Sequence, residues 1–153
     1  MSEDLRMDLD DLLVGRWSSL PLSYGVMEAS ELGLLPDGRG WSSWFNVGAL
    51  CVTRFGWACP EPGVVELHMK WMVEGTPSRG VASPTFSSME PAVQVDEVTR
   101  HHYVVRPVVP MPGGDALTAV SFEEPVEFCR QYARGAKEIR PEEDPTYLVL
   151  PYQ

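Results

Sequence analysis

The run Arg100-His101-His102-Tyr103-Val104-Val105 sets two imidazoles and a phenol side by side. These residue types carry acid–base chemistry because each has a titratable or donating tip on an apolar body. Adjacent side chains on a strand point to opposite faces, so His101 and His102 cannot share one cavity or one metal ion. The expected register turns His101 and Tyr103 inward with Thr99 and Val105; a slip by one residue would expose them instead. An inward His101 and Tyr103 could orient a ligand or act as a catalytic pair, or could plug an interior and satisfy one another. His68, between Glu66 and Lys70, is expected in water. No Ser-His-Asp order, carboxylate pair or metal-ligand spacing can be placed, so neither a metal nor a cofactor is expected.

A second set of candidates is aromatic. Phe55, Trp57, Met69 and Trp71 could form the apolar wall of a ligand pocket, with Trp41 beside them and Glu31 and Arg54 as buried polar anchors. The same side chains could equally be plain core. The stretch "GLLPDGRGWSSWFN", residues 33–46, carries three glycines, yet a phosphate loop needs its glycines between a buried strand and a helix N-terminus. Here Pro36 and Asp37 suit a type I turn with Gly38 in the left-handed position, so the glycines read as turn chemistry. Trp41 and Trp44 then fall on opposite faces of one strand.

The elements that must position these residues are mostly strands. From Gly15 onward apolar residues recur with period two, most clearly in "VELHMKWMV", where Val65, Leu67, Met69, Trp71 and Val73 share a face. Eight strands are predicted, over 15–20, 27–35, 40–46, 50–58, 64–74, 95–106, 115–122 and 146–150. "CPEPGV" and "VPMPGGDA" supply the proline and glycine that tight reversals need. A short helix is expected from Ser2 through Leu13. Another is expected over 124–135, with Pro125 at its first turn and Gly135 as its stop, although Val126, Phe128 and Tyr132 also fit a strand. Residues 76–91, rich in Ser, Pro and Gly, suggest a lid.

Composition narrows the function. The 153 residues are the length of one domain, so 1–153 is read as a single unit. A net charge of −10 repels nucleic acid and anionic membranes, and no apolar run is long enough to span a bilayer. The acidic start lacks the pattern of a secretory signal, which makes cytoplasmic residence the expectation. Cys51, Cys59 and Cys129 are expected to be buried free thiols.

Gly15-Arg16-Trp17, following a short helix and opening the first strand, resembles the G-x-W signature of the lipocalin-like (calycin) barrels. The eight strands and the hairpin at "LPDGR" extend the likeness. It implies an all-β fold, an eight-stranded antiparallel up-and-down barrel, with Trp17 packing at the closed end and a small apolar ligand inside. It also implies an arginine from a late strand stacked on that tryptophan, which no residue can be assigned to from sequence. The T-D-Y and Arg-x-Tyr motifs of the family are absent, which points away from retinoid-like and fatty-acid ligands. Three functions follow: binding of an apolar, polyketide- or polyene-like molecule; cyclisation or isomerisation of such a molecule folded in the barrel; or protein interaction by a solid barrel. A homodimer is compatible with each.

Overall fold

Strand patterning from Gly15 onward becomes nine strands in the computed structural model, which describes residues 9–22, 28–78, 85–127 and 129–150. They are β1 (Gly15–Ser18), β2 (Ala29–Leu34), β3 (Arg39–Phe45), β4 (Leu50–Glu61), β5 (Val64–Pro77), β6 (Phe86–Met89), β7 (Val93–Val108), β8 (Leu117–Val126) and β9 (Cys129–Arg134). All pairings are antiparallel, in the order β4-β3-β2-β1-β9-β8-β7-β5, and β4 pairs with β5 to close an eight-stranded barrel. The ninth strand, β6, is a short addition that pairs with β5 from Gly75 to Pro77. Among the described residues no helix is long and apolar enough to cross a membrane.

Seven of the eight predicted strands form. The segment 146–150 does not: Tyr147, Val149 and Leu150 close turns onto Asp144 and Thr146, and Leu148 is 93% exposed. Its place is taken by β9, in the segment predicted as the late helix. The free edges of β1 and β8 each need a partner to satisfy their backbone groups, and β9 supplies it to both. The predicted N-terminal helix lies mostly outside the described residues; Asp11–Leu13 form a 3₁₀ turn capped by the Asp10 side chain, which accepts from Leu12 N at 2.9 Å. The suggested lid is in part the β5–β6 pairing, and residues 79–84 lie outside the described residues.

The glycines of 33–46 divide by role. Gly38, at φ 90°, makes the predicted turn, and its N–H donates to Leu35 O at 3.2 Å. Gly33 and Gly40 are not turn residues. A Cβ on Gly33 would sit 2.4 Å from the Trp41 ring, and one on Gly40 would sit 2.7 Å from the Phe55 ring, so both leave room for an aromatic lying across the neighbouring strand.

One end of the barrel is closed by the residues before β1. Trp17 is buried there and donates its indole N–H to Leu13 O at 2.9 Å. The Arg134 guanidinium carbon lies 4.5 Å from the Trp17 ring centroid, and its nitrogens donate to the carbonyls of Leu12 and Val14. Outside the wall, a second apolar cluster of Leu35, Trp41, Leu50 and Val52 packs beneath the chain that follows β9, with Ile139 against it.

Candidate functional site

The inward face of each strand changes character along its length. On β2 it runs Ser30, Leu32, Leu34; on β4 it runs Cys51, Thr53, Phe55, Trp57; on β5 it runs Glu74, Met72, Met69, Leu67, Val65. Near the closed end these residues join Trp17, Tyr103, Val120, Phe122 and Tyr132 in one packed core. Toward the opposite end the inward residues are Ser30, Ser42, Cys51, Thr53 and Glu74, with Trp44 and Met72 beside them. A cavity of about 710 Å³ opens there, lined by Trp44, Cys51, Thr53, Met72, Glu74 and Glu127 among others. That volume lies within the range of ordinary small-molecule pockets.

Glu127 comes from the turn between β8 and β9, where Val126 and Cys129 are paired. Among the described residues it is the one non-glycine with positive φ, at 51°. Such a conformation costs of order 1 kcal/mol or more and persists where neighbours over-determine it. Those neighbours are hydroxyls: Ser30 donates to Glu127 O at 2.9 Å, Ser42 donates to Glu127 Oε1 at 2.7 Å, and Tyr132 donates to the adjacent Val126 O. The turn is thereby pinned with its carboxylate facing the polar half of the interior.

Burial holds the Glu127 carboxyl above its ordinary value of 4.5, with hydrogen bonds from Ser42 and Thr53 opposing. A native state that holds a proton more tightly than the unfolded chain loses stability as pH rises through the raised value. Glu127→Gln should therefore be more stable than the parent protein at pH 7, with the gap closing well below pH 4.5. Chemical denaturation at the two pH values checks this; a loss of stability at pH 7 would mean that the ionised carboxylate is itself a structural requirement. Beside it, burial and the Glu127 and Glu74 carboxylates push the Cys51 thiol up to about 11, so it is a protonated, unreactive group at neutral pH.

His101 and Tyr103 point inward with Thr99 and Val105, as expected, but they do not line this cavity and do not satisfy one another. His101 Nε2 lies 2.9 Å from Thr99 Oγ1, its ring is edge-on to Phe122, and among the described residues nothing makes a well-formed hydrogen bond to its buried Nδ1. Burial lowers its pKa, against the pull of the Glu124 backbone and carboxylate. Tyr103 donates its hydroxyl to Asp10 beyond the closed end, and burial raises its pKa. His68 is exposed, 2.6 Å from Asp96.

The aromatic candidates separate in the same way. Phe55, Trp57 and Met69 belong to or pack on the inner core. Trp71 does not join them: β5 bulges between Met69 and Trp71, which shifts the alternation and sets Trp71 opposite Arg54 on the outer face, where Val73 also lies. Trp41 is buried outside the wall, whereas its neighbour Trp44 lines the cavity and donates its indole N–H to Glu28 Oε2 at 3.0 Å.

Glu31 and Arg54 are also on the outer face. Glu31 lies 3.5 Å from Arg16, and burial raises its pKa against that charge. Arg54 holds the chain after β9, donating Nε to Asp144 and Thr146 and Nη2 to the carbonyls of Thr146 and Leu150. All three cysteines are free thiols, half-buried instead of fully buried. No protein family, curated protein or solved structure matches the chain.

Proposed function

We propose that the protein is a calycin-like binding barrel that holds a small, largely apolar molecule at its open end. The observation that carries this reading is the cavity of about 710 Å³ where inward packing stops. A barrel of eight strands is just wide enough to be filled by side chains or to hold one small ligand, and this one does each in a different half. The calycin likeness draws support from Trp17 at the closed end and from Arg134 of the last strand stacked upon it. A solid interaction module would need no such space. A cyclase or isomerase would find its titratable groups in Glu127, Glu74, Glu90 and Cys51, since His101 and Tyr103 do not line the cavity.

The experiment uses the neutral, environment-sensitive dye Nile red. The parent protein should bind it saturably with a blue-shifted emission. Cys51→Trp, which places an indole where the cavity now is, should weaken binding by roughly tenfold or more, because a filled pocket has no apolar surface left to bury. Equal binding by the two proteins would place the dye elsewhere and remove the cavity as the site.

A further inference from the structure

Among the described residues, every charged side chain lining the cavity is a carboxylate. Glu127 stands on its inner wall, and Glu74 and Glu90 stand at its rim, with no described lysine, arginine or histidine in the lining. No cation pairs with Glu127 among the described residues, its side-chain partners being the Ser42 and Thr53 hydroxyls. Against these acids stand the Trp44 ring and the Met72 thioether. Glu28 accepts the indole N–H of that ring at 3.0 Å.

We propose that the cavity selects an organic cation, a protonated amine carried on an aromatic or similarly apolar body. This rests on the reading of the cavity as a ligand site and names the chemistry it would take. An alkylammonium stays charged at neutral pH and carries N–H donors, so it supplies the opposite charge that the Ser42 and Thr53 hydroxyls do not. A carboxylate or phosphate ligand would enter against three carboxyl groups with no compensating base among the described lining residues.

A bare metal ion fits less well, because among the described residues no three His, Cys, Asp or Glu side chains come together to hold one. The apolar wall also has no purpose for a metal ion. For an amine on an aromatic body it buries the part of the ligand that gains most from leaving water.

Three ligands of one shape and different charge test the proposal by isothermal titration of the full chain: 1-naphthylmethylamine, 1-naphthalenemethanol and 1-naphthoate. The amine should bind about tenfold or more tighter than the alcohol, as a charge-assisted pair predicts, and the carboxylate should bind weakest. In Glu127→Gln the ratio of amine to alcohol affinity should fall toward one. Glu74→Gln, at the exposed rim where folding is not at stake, should lower that ratio by roughly two- to fivefold.

Alcohol binding as tight as the amine, or an amine preference unchanged in both variants, overturns the cation preference while leaving the cavity as a binding site. Tightest binding by the carboxylate does the same. If none of the three binds and Nile red also fails, the cavity reading itself falls.

Discussion

Arg54→Ala should destabilise the protein by about 3–5 kcal/mol, the cost of removing one partner from a buried ion pair. The Asp144 side chain is fully buried and the Arg54 side chain nearly so, with Nε and Oδ2 3.1 Å apart. The same guanidinium binds Thr146 Oγ1 and the carbonyls of Thr146 and Leu150, so alanine would take the counter-charge from a buried carboxylate and a donor from a hydroxyl and two backbone oxygens at once. Asp144 itself organises the turn by accepting from Thr146 N and Oγ1, each at 2.7 Å.

The loss should appear in urea unfolding as a lower midpoint. Early proteolysis within 137–150 should accompany it, because this chain covers Trp41 and Leu50 and has no strand pairing to hold it. Arg54→Met combined with Asp144→Leu should recover much of the loss, since removing both charges leaves neither unpaired. A loss below 1 kcal/mol in Arg54→Ala would show that the chain after β9 is held by its apolar contacts alone.

Arg54 also shows what sequence could not convey. In a strand its parity is that of Leu50 and Val52, a face readily taken for either side of a barrel, and the acid that pairs with it is 90 residues away. Local patterning was sufficient for hairpins, as at Leu35–Arg39, because a turn's chemistry lies within a few residues of itself. It was sufficient for the inward register of His101 and Tyr103, because the strand alternates without interruption from Val98 to Arg106.

Alternation misleads at Lys70, where the bulge reverses the faces of Trp71 and Val73, and no glycine or proline marks the place. At β9 the alternation fits the strand, and the punctuation misleads. The connection between the paired Val126 and Cys129 lacks the asparagine or glycine that hairpin turns prefer, so Pro125 and Gly135 resemble helix punctuation instead. Glu127 was missed for that reason. Its positive φ is imposed by Ser30, Ser42 and Tyr132, none of which a window of sequence around residue 127 connects to it.

Trp17→Ala is expected to cost about 3–5 kcal/mol, the usual range for emptying a buried tryptophan site. The indole is 1% exposed and sits among Leu13, Leu32, Val120 and Tyr132 in the core at the closed end. Alanine would also free the Leu13 carbonyl from its indole donor and deprive the Arg134 guanidinium of the ring it covers. A double-mutant cycle with Arg134→Ala isolates that last contribution and should yield a coupling of about 0.5–2 kcal/mol. Arg134 would still bind the carbonyls of Leu12 and Val14 in the single variant, so the two changes should not be fully redundant.

The location of this loss gives it functional meaning. Phe55, Leu67 and Phe122 share one packed core with Trp17, and none of the four lines the cavity. Trp17→Ala should therefore lower stability while the folded fraction still binds Nile red with near-parental affinity, measured at a temperature where the variant remains folded. Cys51→Trp should do the reverse. Loss of dye binding in both variants would mean that the closed end and the cavity do not behave as separable halves, and that the tryptophan–arginine stack shapes the site it stands apart from.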